Sequence, residues 1–406
     1  MAEQALTENT ERAFLALLRT ALHGGNAVLP DGIDWPALLG LARRHQVFPL
    51  ILEAAWQNAE LPEPLLSSAR MMSMNLVMRQ AQRTSVFLML YKSLAEQGLC
   101  PLILKGFVCR SLYPDPDSRP SNDEDLLIEP AAFPAVHAAL LAQGLSCECE
   151  APTADMHEIT YTAPYLRIEL HLSLFPADSL AYGDLNALFP SVHERAVDFN
   201  ADGVTVRTLS PTDHLLYLIG HAFKHFLHSG VGIRQVCDIA VFAEHFKTEI
   251  DWARIRRSCD SVRMSGFAAA VFAIASRHLG FAVPAAFADI KTDEGPMLRD
   301  MLSGGVYGAT EENRIHSSTI TLEAVAAQKQ QRKNTGALAS LFPPLSSMQA
   351  KFPYLRRFPW LLPFAWLQRI CQYLIRRRGA ASVNPAESLR IGQERVALLR
   401  EYGILD

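Results

Sequence analysis

The sequence predicts an α+β fold: a small mixed sheet with its own short helices, flanked by helical regions before and after it. Three observations carry that expectation. Apolar residues recur at helical spacing over residues 8–97 and again from about residue 214 to 278. Between these stretches lie runs of strand length, Pro101–Leu104, Asp125–Ile128, Leu166–Leu172 and Val204–Arg207. Glycines such as Gly98 and Gly144 stand where helices would end. The expected divisions are an N-terminal helical region at 1–98, the mixed core at 99–208, a helical domain at 209–300 and a basic, aromatic C-terminal region at 301–406.

Glu11–Leu22 is apolar at helical spacing and stops at Gly24-Gly25. Asp34-Trp35-Pro36 then offers an N-cap followed by a proline in the first turn, and the helix it starts carries Leu38, Leu39, Leu41 and Ala42. A long helical pattern runs from Pro64 to Gln97 and closes at Gly98. Its methionine stripe, Met71, Met72, Met74 and Met78, reads as packing rather than as a cofactor site. This region shows no catalytic pattern.

In the core, Pro101–Leu104 is a short buried strand, Gly106–Tyr113 a short helix, Asp125–Ile128 a second strand, and Ala131–Gln143 a helix ending at Gly144. Cys147–Tyr161 has room for two short strands. Leu166, Ile168, Leu170 and Leu172 alternate with Arg167, Glu169 and His171, so the polar set shares one face. After Val204–Arg207, Ser210-Pro211 reads as a cap and a first helical residue. His214, His221, His225 and His228 then fall at i, i+7, i+11 and i+14 of that helix, with Lys224 beside them. His221 and His225 could bind zinc, but the Glu of a His-Glu-x-x-His motif is missing. The stripe reads equally as a phosphate- or substrate-facing surface or as a solvated or core-satisfied face. Ile250-Asp251-Trp252 repeats the helix start at Ile33-Asp34-Trp35.

The 406 residues are 49% hydrophobic and 20% charged, which excludes a chain that is disordered throughout. A formal net charge of −4 gives no global case for a nucleic-acid or membrane partner. Neither a signal peptide nor a membrane-spanning run is read. Seven scattered cysteines suit a reducing compartment, so a cytoplasmic protein is expected; Cys147-Glu148-Cys149 has no second pair at zinc-finger spacing. The charge asymmetry is local. Between Glu323 and Glu387 there is no acid but ten basic residues: Lys329, Arg332, Lys333, Lys351, Arg356, Arg357, Arg369, Arg376, Arg377 and Arg378. Aromatic residues interleave them, so the segment could grip RNA, lie on an anionic surface, or pack on the acidic remainder of the chain.

The chemistry concentrates in Leu102–Ile128. Asp123 and Asp125, spaced i, i+2, share a face if they open a strand, while Glu124 points away. Carboxylates held that close repel when ionised and favour a divalent cation, and Glu169 supplies a third. Gly106 would let the backbone approach a phosphate at a helix N-terminus, and Lys105 and Arg119 would neutralise phosphoryl charge. Asn122-Asp123-Glu124-Asp125 also fits a polar turn. Mg²⁺ or Mn²⁺ with an NTP, and phosphoryl or nucleotidyl transfer, is the chemistry this donor set suits.

At these residues the chain resembles the DNA polymerase β-like nucleotidyltransferase superfamily, in which a strand ending in Gly-Gly or Gly-Ser precedes Asp-x-Asp and a later strand-borne acid. Within it, Leu104-Lys105-Gly106, Tyr113-Pro114, Arg119, Asp123–Ile128, Ile168–His171, His221, Lys224-His225, Asp238 and the late Phe352–Leu355 and Pro359–Pro363 runs with Trp366 resemble the bacterial uncharacterised nucleotidyltransferase family. The core alone is also similar to AbiE-type toxin nucleotidyltransferases. The resemblance implies a Mg-dependent nucleotidyltransferase, with catalytic residues Asp123, Asp125, Glu169 and Lys105, metal on the three carboxylates, and an NTP such as ATP near Lys105, Gly106, Arg119, His221, Lys224 and His225. Its acceptor would be a small molecule, a peptide or protein, or tRNA. The alternative is a catalytically inactive protein of the same fold that binds RNA or an anionic surface through the basic segment. Phe107 replaces the superfamily's usual Ser or Gly, and Glu124 occupies a usually apolar position where burial demands a partner.

Overall fold

The strand-length runs assemble into one seven-stranded mixed sheet in a computed structural model that describes residues 8–58, 61–305, 312–330, 354–369 and 385–406, with positions 345, 348 and 352. The strands are β1 (Leu102–Ile103), β2 (Glu124–Leu127), β3 (Ser146–Cys147), β4 (Glu158–Ala163), β5 (Leu166–His171), β6 (Val197–Ala201) and β7 (Val204–Thr208), in the order β3-β4-β5-β2-β1-β7-β6. β2 pairs with β5, and β1 with β7, in parallel; the other neighbours are antiparallel. Asp202 and Gly203, both at positive φ, form the two-residue turn that joins β6 to β7. β6 is the strand the sequence reading lacks: Val197, Phe199 and Ala201 do alternate with Asp198 and Asn200, but the run is short and its side chains are exposed or half-buried.

Helices surround the sheet. Before it come α1 (Glu8–His23), α2 (Trp35–Arg44), α3 (Phe48–Asn58) and α4 (Glu63–Glu96); within it lie α5 (Gly106–Arg110) and α6 (Phe133–Ala142). After it follow α7 (Pro211–His228), α8 (Ile233–His245), α9 (Trp252–Ser261), α10 (Ser265–Leu279), α11 (Gly295–Gly304), α12 (Glu312–Lys329) and α13 (Pro385–Glu401). The expected caps are present: Asp34 accepts from the Ala37 amide at 2.9 Å, Asp251 from Arg254 at 2.8 Å and Ser210 from Asp213 at 3.3 Å. Gly98 takes φ 75° while the Leu99 amide reaches the Leu94 carbonyl at 2.9 Å, which closes α4. α5 is shorter than the expected Gly106–Tyr113 helix because the chain turns at Ser111–Tyr113 before Pro114.

One expectation is overturned. The methionine stripe of α4 does not pack: Met71, Met74 and Met78 are each about 60% exposed and Met72 is 37% exposed. α4 runs 34 residues, and between Glu63 and Arg79 only Ala69 is buried, so its first half projects past the core that its second half packs against. Toward the C-terminus, Arg314 and Arg395 pair with Asp300 at 2.6 and 2.7 Å, and Tyr402 receives the Met297 amide at 3.1 Å, tying α12 and α13 to α11. Of the basic segment, Lys329 pairs with Asp184 at 2.6 Å, and Met348, Phe352, Leu355 and Ala365 form a small separate apolar cluster. Trp360, Phe364 and Leu367 are exposed. Arg332, Lys333, Lys351, Arg376, Arg377 and Arg378 lie outside the described residues. Among the described residues, no helix is long and apolar enough to cross a membrane.

Candidate active site

Strand register builds the site. β2 and β5 run in parallel with Asp125 beside Glu169, and β5 pairs with β4 so that His171 faces Glu158 and Glu169 faces Thr160. Because side chains alternate, Asp125, Glu169, His171 and Glu158 fall on one face of the sheet. Asp125 is wholly buried; its Oδ1 accepts from Lys105 Nζ at 2.5 Å and from His171 Nε2 at 3.1 Å. Its Oδ2 is buried without a hydrogen-bond partner among the described residues. Burial alone would raise the Asp125 carboxyl, but Lys105 and His171 outweigh it and hold the group well below the usual carboxylate range. Glu169 goes the other way, to about 7, through burial and the negative charges of Asp125 and Asp123.

The carboxylates here suit a metal ion, with His171 holding Asp125 in place. Ligand atoms of Asp125, Glu169 and His171 lie within 4.8 Å of one another, one buried carboxylate oxygen has no hydrogen-bond partner, and crowded negative charge raises Glu169. Asp123, half-buried just ahead of β2, lines the adjoining cleft with Lys105, Gly106 and Asp125 but stands outside that close trio.

Glu124 has the partner its burial demands. Its carboxylate faces away from Asp125, pairs with the buried Arg110 at 2.7 Å and accepts from the Phe107 amide at 3.0 Å. The short helix α5 therefore receives this internal carboxylate at its first turn. A Cβ on Gly106 would collide with Glu124 Oε2, which the Phe107 amide and Arg110 hold in place, so the glycine makes room for this close approach. The loop before β2 is braced from α4: Gln80 Oε1 accepts the Ser121 amide at 2.8 Å, and Arg83 donates to the Ser121 carbonyl.

Arg119 is 3% exposed and grips Asp238 of α8 with two bonds, at 3.0 and 2.5 Å, while Tyr113 donates to the same carboxylate at 2.8 Å. Arg119, Asp238 and His221 all line the cleft beside Asp123 and Asp125. α7 contributes Leu218 and His221 to the cleft, with Tyr217 and Lys224 one turn to either side of His221 on the same helix. Burial pushes Tyr217 up, and the charges of Lys105, Asp125 and Glu169 reach it. Burial and neighbouring cations push His221 and His225 well down, with Lys105 acting on both; their Nε2 atoms are 3.3 Å apart. Lys224 is lowered by burial and by Lys105, against the pull of Glu158, Asp125 and Glu169. His214 instead points into the core beside Phe242.

The sequence reading therefore brought Lys105, Gly106, Arg119, Asp123, Asp125 and His221 to one cleft, with Glu169 beside Asp125. It missed Glu158, whose place depends on a β4 register that local pattern does not encode. A larger groove between α1 and the end of α10 is lined by Glu8, Arg12, Arg19 and His278 but by none of the sheet-borne carboxylates, so the chemistry belongs to the smaller cleft.

No curated protein and no solved structure matches the chain, and the likeness to AbiE-type toxins is not shown. Residues 31–280, which include every site residue above, match the family model described as uncharacterised nucleotidyltransferase. A match over more than half of the chain, centred on paired strands that carry acids beside a lysine, is sufficient: the protein belongs to the uncharacterised nucleotidyltransferase family and is a nucleotidyl-transferring enzyme.

Proposed function

We propose that the enzyme passes a nucleotidyl group from an NTP, ATP among the candidates, to an acceptor on a small molecule, a peptide or protein, or a tRNA, using Mg²⁺ or Mn²⁺ held by Asp125, Glu169 and Asp123. The observation that carries this reading is Asp125, whose Oδ1 accepts from Lys105 and His171 while its buried Oδ2 has no hydrogen-bond partner among the described residues next to Glu169. A hard divalent ion there would neutralise the triphosphate and stabilise the attacking and leaving oxygens. His171 fixes the orientation of the Asp125 carboxylate. Lys105, at the mouth of α5, and Lys224 with His221 on α7 face the carboxylates and suit the phosphates. His225 follows one turn after His221 on α7. Gly106 lines the nucleotide cleft, and Arg119, committed to Asp238, first positions the loop that bears Asp123. Scattered cysteines, unpaired at the six described positions, suit a cytoplasmic enzyme.

The test is transfer of label from each α-labelled NTP, with Mg²⁺ and total cell extract, to an acceptor fraction. Asp125→Asn and Glu169→Gln should abolish labelling, with folding checked by circular dichroism. Undiminished labelling by both folded variants sinks the assignment.

A further inference from the structure

Next to the Asp125 site, on the same sheet face, lies a second set of donors that has only His171 in common with it. Glu158 of β4 is the direct cross-strand partner of His171, and His157 immediately precedes it. Ligand atoms of His157, Glu158 and His171 lie within 4.8 Å of one another. Glu158 Oε2 is 3.6 Å from His157 Nε2 and 3.8 Å from His171 Nδ1. Both ring nitrogens are buried without a hydrogen-bond partner among the described residues, and the His171 side chain is only 4% exposed.

The tautomers follow from the other ring atoms. His171 Nε2 faces a carboxylate oxygen of Asp125, which only accepts, so in the neutral ring, the form that ligates a metal, Nε2 carries the proton and Nδ1 offers a lone pair. Ser173 Oγ spends its hydrogen on the Phe175 carbonyl at 3.0 Å and therefore accepts from His157 Nδ1, also at 3.0 Å. His157 Nε2 is thus left with a lone pair too. Two imidazole lone pairs and a carboxylate oxygen converge. A metal at about 2.0–2.1 Å from each donor, in tetrahedral geometry, places ligand atoms roughly 3.4 Å apart. The two carboxylate–imidazole separations, 3.6 and 3.8 Å, are close to that, and the two imidazole nitrogens lie within 4.8 Å of each other.

We infer that His157 Nε2, His171 Nδ1 and Glu158 Oε2 form a second cation site, selective for a borderline transition ion such as Zn²⁺ over Mg²⁺. Two imidazoles and one carboxylate suit that class of ion, whereas Mg²⁺ demands oxygen ligands. Asp125–His171–cation is the carboxylate–histidine–metal arrangement that fixes a ligand's tautomer, and Ser173 serves His157 in the same way. Glu158, 38% exposed on its side chain, leaves a solvent-facing coordination position. The cation would share His171 with the Asp125 site without using Asp125 or Glu169 as a ligand.

The full-length protein, stripped with chelator, is titrated with Co²⁺ in a large excess of Mg²⁺ and followed by the visible absorption of imidazole-bound cobalt. One equivalent should bind. His157→Ala and Glu158→Gln should each weaken it at least about tenfold, while Glu169→Gln leaves it unchanged. Glu158 is the most exposed ligand, so its variant covers the case in which His157→Ala fails to fold. Absence of cobalt bands, competition by Mg²⁺, or binding lost in Glu169→Gln but retained in Glu158→Gln overturns the proposal. Labelled-NTP transfer is read separately, so either reading can fail alone.

Discussion

Glu124 shows how one residue settles an apparent conflict. A charged side chain in the middle of Asp-x-Asp is wholly buried, and Arg110, 1% exposed, is its counter-ion at 2.7 Å. Removing one member of such a pair strands the other, at roughly 3–5 kcal/mol, whereas replacing both with apolar groups is often neutral. Arg110→Met should therefore lower the urea midpoint sharply, and Arg110→Met with Glu124→Leu should recover most of the loss; equal destabilisation by single and double variants would refute the pairing. Gly106 belongs to the same arrangement, because its missing Cβ makes room for Glu124. The sequence made the need for a partner legible, but not which residue meets it, since Arg110 reads as an ordinary charge on a short helix.

Among the elements, α4 has two unequal halves. Its second half carries Gln80 and Arg83, which hold the amide and carbonyl of Ser121 two residues before Asp123. Gln80→Leu leaves a buried amide unsatisfied, an expected cost of about 1–3 kcal/mol, and should also lower nucleotidyl transfer; unchanged melting and unchanged labelling together would show that the brace is dispensable. The first half carries the exposed methionines. Met71→Gln, Met74→Gln and Met78→Gln should each shift stability by no more than about 0.5 kcal/mol, and a loss of several kcal/mol in denaturant melts would restore the packing interpretation. Composition and period identified this helix and its glycine stop. They could not say how far the core beneath it extends, because that depends on the lengths of distant elements.

For the whole molecule, the acidic limb of stability rests on buried neutral imidazoles. His45 and His214 are wholly buried, and burial pushes each down to about 3 from an ordinary value near 6.5. Below pH 6.5 the unfolded chain takes up these protons while the folded chain does not. Their contribution is therefore complete above pH 6.5 and is lost as pH falls toward 3, at most roughly 1.4 kcal/mol per pH unit per histidine. His214→Gln, which retains a donor for Thr208 Oγ1, should flatten that slope in urea melts recorded from pH 7 downward. The α+β class, the helix caps and the strand-borne acids were all legible because each is written in local spacing. The sheet order was not, since β2 finds β5 and β1 finds β7 only after long intervening stretches.

That last pairing has a consequence for synthesis. The interior strand β1 is flanked on one side by β7, with Thr208 Oγ1 donating to the Ile103 carbonyl across 105 residues, and Arg119 waits for Asp238 across 119. A nascent chain that has released β2 already displays Lys105, Arg119 and both aspartates, yet lacks the strand and the helix that hold them. Non-local closure of this kind is slow relative to local helix formation. Emergence of α8 from the ribosome is thus the event that completes the cleft, so chains truncated before it should be nucleotidyltransferases in sequence but not in activity.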